Sequence, residues 1–221
     1  MLYILWQFYT RMKIAIIAAT NLELEGLQKS ALKSQHDLVF YTHGVGIFQS
    51  MYHIQKLANT KPDLIIQCGI AGSYNNSIHI GETVLVYSEC FGDCGSETQD
   101  EILDLIDLNF LDPQSFPFVN GLLVNPSVLK IDHLKRVAGL TVNLSSGKES
   151  TIRQRKIKYQ PEIETMEGAC LHYICLQEKI SFLQFRGISN YVEPRDKSKW
   201  KIKDALQSCH TEVIQFIQQL K

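Results

Sequence analysis

Short apolar runs alternate with segments of helical character along most of this 221-residue chain, and this alternation limits what it can fold into. After its first residue, the run at 13–19 is continuous in apolar side chains, as a parallel strand covered on both faces should be. Residues 22–34 then have the character of a helix, and residues 38–43 that of a second strand. Strands that alternate with helices predict an α/β fold with a central, mostly parallel sheet.

The alternation of strands and helices continues to the end of the chain. Further strands are predicted at residues 63–68, 81–88, 137–142 and 181–188, and further helices at 47–58, 126–135, 149–159, 167–179 and 200–220. Residues 91–120 are acidic and irregular, so we expect them to pass over the surface. A chain of this length with 45% hydrophobic residues can bury a full core, which predicts one domain over residues 12–221.

Residues 1–11 stand apart from this pattern. They form an apolar tract that is far too short to span a bilayer, and they lack the basic start and the cleavage site of a signal peptide. We predict an N-terminal extension from an upstream start, with Met12 as the alternative start; an additional strand is the other interpretation.

Composition excludes several classes of function. The net charge is -1 and no basic stripe is present, which argues against a nucleic-acid partner. Several of the six cysteines lie inside apolar runs, as reduced core cysteines do, and this predicts a cytoplasmic protein. Cys90 and Cys94 could bind a metal, but no second Cys/His pair stands at a zinc-site spacing, so we expect no metal site.

The loops that follow the strands are the places to look for a site, because ligands bind beyond the carboxyl ends of strands in open α/β sheets. Glu167 opens an apolar helical segment, where a buried carboxylate needs a specific partner. Adjacent hydroxyls of a ribose would be such a partner. The loops selected by the rule contain Glu23, residues 43–46, residues 69–72, residues 143–148 and Asn190. The Gly44-Val45-Gly46 turn could cradle an anion or merely permit tight packing.

Several motifs occur in an order that resembles the nucleoside phosphorylase/nucleosidase superfamily. They are KIAIIAAT at 13–20 with Glu23 soon after, GIAG at 69–72, MEGA at 166–169 and RGISN at 186–190. The resemblance covers the chain from Met12 onward and implies a three-layer α/β/α nucleoside phosphorylase-like fold with a central, largely parallel mixed sheet. TVN at 141–143 and SNYVEPRD at 189–196, with Trp200 beyond, look most like the futalosine hydrolase family. Those enzymes cleave the N-glycosidic bond of futalosine and release hypoxanthine in an alternative menaquinone pathway.

The resemblance implies a role for particular positions. Glu23 falls where these hydrolases keep the base that activates water. Met166 and Glu167 fall where the ribose is held, and Ala71 and Gly72 on the loop lining base and sugar. Asn190 falls where N7 of the leaving purine is contacted. The resemblance also implies a small-molecule nucleoside substrate and no cofactor. It implies a homodimer or higher homo-oligomer as well, since family members often complete the pocket from a neighbouring subunit.

Two departures distinguish this chain from methylthioadenosine nucleosidases. Ile70 stands where those enzymes carry a serine, so a hydroxyl that could hold water is missing. Asn190 stands where they carry an aspartate. An amide can donate to the 6-oxygen of hypoxanthine and accept from a protonated N7, so Asn190 favours a 6-oxopurine. Residues 20–25 contain no arginine of the kind that binds phosphate in the phosphorylases, which favours hydrolysis.

Alternatives stay open at this stage. The chain could be a methylthioadenosine/S-adenosylhomocysteine nucleosidase, a purine nucleoside phosphorylase, or a non-catalytic nucleoside-binding relative. Arg195 or Arg153 could meet the benzoate of futalosine, although an Arg195–Asp196 surface ion pair is the simpler interpretation. An aromatic wall for the purine could come from Phe91, Phe116, Phe118 or Tyr191. The histidines at 43, 53, 172 and 210 are interpreted as packing or surface residues.

Overall fold

The computed structural model of the protein describes residues 11–30, 34–126 and 131–220. The predicted extension at residues 1–11 lies outside this part of the chain, apart from Arg11, whose guanidinium hydrogen-bonds Asp37. The assignment of residues 12–221 to one domain therefore stays a prediction.

Ten strands and five α-helices are formed by the described residues. In chain order they are β1 (Lys13–Ala18), α1 (Asn21–Lys29), β2 (Asp37–Thr42), α2 (Gly46–Ala58), β3 (Leu64–Ser73), β4 (Thr83–Phe91), β5 (Gly95–Glu97), β6 (Ile102–Asp104), β7 (Leu123–Val124), β8 (Lys135–Thr141), α3 (Glu149–Tyr159), β9 (Ile163–Thr165), α4 (Gly168–Glu178), β10 (Ser181–Tyr191) and α5 (Ile202–Gln219).

Strand β1 is buried on both faces, as its uninterrupted apolar sequence predicts. Side chains alternate between the faces of a strand, so Ile14 and Ile16 pack with helices α1 and α5. Ala15 and Ile17 point the other way and pack with α2 and α4. The sheet therefore lies between two helical layers, and the predicted α/β/α architecture is confirmed.

Most strand pairings of the main sheet are parallel, and the sheet is mixed, as predicted. The strand order is β10-β4-β8-β9-β3-β1-β2, and β10 also pairs with β3. This last pairing joins the two ends of a five-strand segment, so β10, β4, β8, β9 and β3 form a closed ring. The ring brings the carboxyl ends of β3 and β10 side by side, with Gly72 opposite Asn190.

Strands β3 and β10 both continue past their predicted ends. Residues 69–72 were expected to form a loop after a strand ending at 68, and the last strand was expected to end at 188. In the structure the two strands run to Ser73 and Tyr191 as parallel partners. Each strand satisfies the backbone groups of the other, so the glycines within them do not end the pairing.

The predicted helix at residues 126–135 is wrong at its C-terminal end. Residues 127–130 lie outside the described part, residues 131–134 are not helical, and Lys135 begins β8. Lys135 pairs with Val84 of β4, so a non-local strand pairing determines the conformation there.

The acidic segment at 91–120 is largely irregular, as expected, but it contains a small hairpin formed by β5 and β6. Lys158 of α3 holds this segment by ion pairs with Asp104 and Asp107. None of the described helices is both long enough and apolar enough to cross a bilayer. The six cysteines are free thiols, and the described residues contain no cluster of three groups that could hold a metal.

Candidate functional site

One pocket of about 340 Å³ opens at the carboxyl ends of the central strands. All seven residues singled out in the sequence lie around it, namely Glu23, Ala71, Gly72, Met166, Glu167, Asn190 and Arg195. They come from five different segments of the chain, so the fold brings together what the sequence keeps apart. Their individual roles stay predictions.

Glu23 is held in place by the start of helix α1. Thr20 is the N-cap of this helix and forms a capping box with Glu23. Oε2 of Glu23 accepts hydrogen bonds from the Thr20 amide and hydroxyl, each at 2.9 Å. Oε1 accepts one from the Ile70 amide at 3.3 Å. The buried carboxylate thus has a fixed orientation, and Oε1 keeps acceptor capacity for a further donor.

Arg186 is the functional residue that the sequence interpretation missed, although it lies in the quoted RGISN motif. Its side chain is fully buried and donates to Gln67 Oε1 at 2.9 Å and to the Ile70 carbonyl at 3.4 Å. Its Nη2 lies 3.9 Å from Oε2 of Glu167. An arginine inside an apolar strand needs buried partners, and this signal could have identified it.

Gly69 gives Arg186 and Glu23 the room to approach each other. A β-carbon at this position would lie 2.6 Å from Oε1 of Glu23 and 2.8 Å from Nη1 of Arg186. Both distances are shorter than a real contact allows, so the absence of a side chain at 69 is a requirement of the site.

Glu167 points into the pocket from the N-terminus of helix α4. Its Oε1 accepts a hydrogen bond from the Gly46 amide at 3.1 Å. Burial raises the pKa of the Glu167 carboxyl, while the nearby charge of Arg186 opposes this rise. The Gly44-Val45-Gly46 turn therefore does present an amide to an anion, and that anion is a carboxylate of the same chain. Both glycines have positive φ angles, 86° and 80°, which other residues rarely adopt.

His43 supports this turn from below and is not a surface or simple packing residue. Its Nδ1 lies 2.9 Å from the Gly44 carbonyl oxygen, and its Nε2 lies 3.0 Å from Nε2 of Gln67. The Gln67 amide donates to Nε2, so the imidazole carries its proton on Nδ1. Gln67, on β3, also accepts a hydrogen bond from Arg186, on β10. These contacts therefore link the residue that follows β2 to β3 and β10 beneath the pocket.

Asn190 is fixed by its neighbours at the other end of the pocket. Its Nδ2 donates to the Tyr191 carbonyl at 2.8 Å, and its Oδ1 accepts from the Ser189 hydroxyl at 2.7 Å. Because a carbonyl only accepts, the contact with Tyr191 determines which end of the amide is the NH₂ group. A β-carbon on Gly72 would lie 3.3 Å from Nδ2, so Gly72 leaves the space that the Asn190 amide occupies.

Arg195 and Trp200 form the outer wall. The guanidinium carbon of Arg195 lies 5.7 Å from the centre of the Trp200 ring, and Nη1 is 3.4 Å from the Ser145 hydroxyl. The simpler interpretation, an ion pair with Asp196, is wrong: among the described residues no carboxylate lies within ion-pair distance of Arg195, and Asp196 accepts from Ser198 instead. Arg153 is exposed on α3 and does not line the pocket.

None of the four aromatic residues suggested for a wall around the purine lines the pocket. Phe91 packs with the core between α2 and α4, Phe118 contacts Tyr173, and Phe116 is exposed. None of these, nor Tyr191, lines the pocket, whereas Trp200 does. Which aromatic residue lines the pocket depends on its position in the tertiary structure, and the residue type alone does not reveal that position.

The loop at residues 143–146 is held by charged side chains that the sequence interpretation also missed. Glu164 accepts from the Ser146 amide at 2.7 Å and from its hydroxyl at 2.6 Å. The buried Arg155 donates to the Leu144 carbonyl at 2.9 Å and lies 3.4 Å from Glu164. These contacts place Ser145 and Ser146 against the pocket.

Comparison with known proteins places this arrangement in a family. The model of the phosphorylase superfamily matches residues 33–220. The chain belongs to this superfamily. The predicted superfamily resemblance and the predicted fold are therefore both confirmed.

Two curated relatives are futalosine hydrolases, as the motifs predicted. The protein from Streptomyces coelicolor is 26% identical over 144 residues, which cover 65% of this chain and 60% of that protein. The protein from Thermus thermophilus is 27% identical over 177 residues, which cover 77% of this chain and 76% of that protein. The match thus spans less than two thirds of the Streptomyces protein.

Solved structures share the fold across nearly the whole chain. A methylthioadenosine/S-adenosylhomocysteine nucleosidase from Colwellia psychrerythraea in complex with adenine has a TM-score of 0.79 at 18% identity, covering 95% of this chain and 96% of that one. A futalosine hydrolase mutant from Helicobacter pylori has a TM-score of 0.78 at 12% identity, covering 96% and 100%. The fold therefore does not separate the two activities, and the residues of the pocket must do so.

The buried His43 predicts an acid sensitivity of the fold. Burial, followed by the charge of Arg186, lowers the pKa of His43 to about 3, against about 6.5 in an unfolded chain. The unfolded state then binds the additional proton between these values, so the contribution of His43 to stability falls as the pH drops below about 6.5. In His43→Gln this fall should be shallower, by up to about 1.4 kcal/mol per pH unit.

Urea denaturation at several pH values between about 4.5 and 7 measures this slope. A residual slope is expected in both proteins, because burial also lowers the pKa of His172, to about 4. Identical slopes in the wild type and in His43→Gln would contradict the neutral, buried imidazole.

Proposed function

We propose that this protein is a nucleoside hydrolase that cleaves the N-glycosidic bond of futalosine and releases hypoxanthine. The observation that carries the proposal is the pair of buried acids, Glu23 and Glu167, facing one pocket that has the Asn190 amide at its other end. The two curated relatives, both futalosine hydrolases, support it.

Glu23 is the base that activates water. Breaking a ribosyl–purine bond passes through an oxocarbenium-like sugar, which a water molecule attacks at the anomeric carbon. The Glu23 carboxylate is fixed by Thr20 and Ile70 and keeps acceptor capacity on Oε1 for a water proton. Ile70 lacks the serine hydroxyl of methylthioadenosine nucleosidases, but its amide still orients this oxygen.

Glu167 holds the ribose. Its Oε1 is oriented by the Gly46 amide, and Oε2 lies near Arg186, so the carboxylate is fixed before substrate arrives. Two sugar hydroxyls match the two oxygens of one carboxylate. Holding the sugar in this way positions the anomeric carbon against the water at Glu23. Met166, Ala71 and Gly72 complete the surface around sugar and base.

Asn190 selects the leaving base. After its contacts with Tyr191 and Ser189, the amide keeps one N–H donor and one acceptor position. Hypoxanthine offers an acceptor at its 6-oxygen and, once N7 is protonated, a donor there. Adenine with a protonated N7 offers donors at both positions, which would leave the N–H of Asn190 unpaired, at a cost of roughly 1–3 kcal/mol.

Hydrolysis rather than phosphorolysis fits the charges of the pocket. Of the described lining residues, Arg195 is the basic one, and it lies on the outer wall beside Trp200. Arg186 lies beneath the pocket and is already engaged by Gln67 and Ile70. The Glu23 loop would repel a phosphate dianion, whereas it can accept a proton from water.

Replacing Glu23 with Gln tests the base directly. Glu23→Gln should lower kcat for hypoxanthine release from futalosine by about a hundred- to ten-thousand-fold, because the amide cannot take a proton from water. Chromatography of the released base measures this. Glu25→Gln is the matched control, since Glu25 is exposed on the same helix and pairs with Lys29. An equal loss of kcat in the two variants, or no loss in Glu23→Gln, would contradict the assignment of Glu23 as the base.

Replacing Asn190 with Asp tests the selection of the base. A carboxylic acid can donate to N7 and accept from the 6-amino group of adenine, so Asn190→Asp should shift preference from futalosine toward methylthioadenosine. We expect kcat/KM for futalosine to fall by about 5- to 150-fold, the equivalent of 1–3 kcal/mol. If the ratio of the two kcat/KM values stays at the wild-type level, Asn190 does not select the base.

Arg195 binds the benzoate of futalosine, because its guanidinium stands at the outer end of the pocket and pairs with no carboxylate in the described part of the chain. Arg195→Ala should raise KM for futalosine about tenfold and leave KM for inosine, which lacks the benzoate, unchanged. Lys197→Ala, an exposed cation nearby that does not line the pocket, is the control. An unchanged KM for futalosine would remove Arg195 from this role.

The protein forms a homodimer in the cytoplasm. Val45 lies at the edge of the pocket, and Phe48 and Tyr52 follow on the same side of α2 with 83% and 67% of their surface exposed. A second copy of the chain that covers these side chains would also border the pocket. The six free thiols fit a reducing compartment.

Phe48→Asp should convert the dimer to a monomer, because it places a charge in the centre of the apolar contact. Sedimentation velocity over a range of protein concentrations measures the association state. Lys56→Glu, a charge change at an exposed position of the same helix, should leave the dimer intact. A monomeric wild-type protein would contradict the proposed dimer.

A further inference from the structure

The first turn of helix α4 is not capped by its own N-cap residue. Glu167 occupies the N-cap position, yet its side chain accepts no hydrogen bond from the helix. Two threonines from neighbouring strands accept the hydrogen bonds of the first helix amides instead. The Gly168 amide donates to Thr165 Oγ1 at 3.2 Å, and the Ala169 amide donates to Thr141 Oγ1 at 2.7 Å. The Glu167 carboxylate is therefore available to the pocket.

Both threonine hydroxyls meet one buried carboxylate, that of Glu89 on β4. Thr141 donates to its Oε2 at 3.0 Å, and Thr165 donates to its Oε1 at 3.4 Å. Oε1 also accepts from Gln184 Nε2 at 3.0 Å. Since a hydroxyl has one proton, donation to Glu89 turns the hydroxyl's lone pairs toward the helix amides.

Two glycines clear the space for this carboxylate against the start of the helix. A β-carbon on Gly168 would lie 1.9 Å from Oε1 of Glu89, and one on Gly139 would lie 2.5 Å from the same atom. Glu89 is fully buried, and no described cation lies within ion-pair distance of it. Burial raises the pKa of Glu89 to about 7, and its hydrogen bonds and the more distant charge of Arg186 oppose this rise. The positive end of the helix dipole also favours the carboxylate.

We propose that Glu89 is a positioning residue that acts through Thr141 and Thr165 to cap helix α4, and so leaves the Glu167 carboxylate free to bind the sugar. This inference rests on the proposed role of Glu167 at the ribose. Glu89 touches neither substrate nor pocket, and its effect is on the orientation of the turn that carries Glu167.

The kinetic test compares Glu89→Gln and Thr141→Val with two controls. Either variant should raise KM for futalosine between tenfold and a hundredfold, with a smaller change in kcat, because the sugar clamp is displaced. The double variant should be no worse than the more affected single variant, since both break one chain of contacts. Thr141→Ser keeps the hydroxyl and should restore the wild-type KM. Glu162→Gln removes a carboxylate that binds a strand amide away from the pocket and should have no effect.

Amide hydrogen exchange of Gly168 and Ala169 gives a readout that does not depend on the substrate. Exchange should be faster in Glu89→Gln and in Thr141→Val than in the wild type, and unchanged in Thr141→Ser and Glu162→Gln. If the wild type releases no hypoxanthine, the proposed function fails while the exchange data still decide whether Glu89 caps the helix.

A lower melting temperature of Glu89→Gln with unchanged KM and unchanged exchange at Gly168 and Ala169 would overturn the inference, since Glu89 would then serve stability alone. Additive effects of the two substitutions on KM would overturn it as well. If Glu89→Gln does not fold, the comparison of Thr141→Val with Thr141→Ser decides by the same two measurements.

Discussion

The buried guanidinium of Arg186 is the group on which the arrangement of the pocket depends. It donates to Gln67 and to the Ile70 carbonyl, and it approaches Glu167 to 3.9 Å, while Gly69 leaves room for Glu23 on the same side. A buried charge is costly unless partners surround it. Arg186 also offsets the burial that raises the pKa of Glu167, whereas the charge of Glu23 adds to the rise. Two acids can therefore share one small pocket because a cation lies beneath them.

The pairing of β3 with β10 places residues at the ends of both strands beside the pocket. The two strands stay parallel partners from Ser181 and Leu64 up to Tyr191 and Ser73, with an irregularity between Ile188 and Asn190. This pairing sets Asn190 opposite Gly72, where the missing side chain admits the amide. The same pairing closes the ring of strands, so Gly72 and Asn190 are held by paired strands rather than by separate loops.

Much of this could be predicted from the sequence, because the apolar runs and the placement of acids just beyond them are local signals. Glu23 and Glu167 were found in this way, and both line the pocket. The predictions failed where distant parts of the chain decide. The ends of β3 and β10 depend on their mutual pairing, and Lys135 is a strand residue because β4 lies beside it. Arg155 and His43 looked like ordinary polar residues until tertiary contacts gave them buried partners.

The most direct test of the account is to incubate the purified protein with futalosine, methylthioadenosine and inosine, each with and without phosphate, and to identify the released base and sugar. We predict hypoxanthine from futalosine at the same rate in the presence and absence of phosphate, with a free sugar rather than a sugar phosphate as the second product. Adenine from methylthioadenosine in preference to hypoxanthine from futalosine would contradict the role of Asn190. A requirement for phosphate would contradict the role of Glu23.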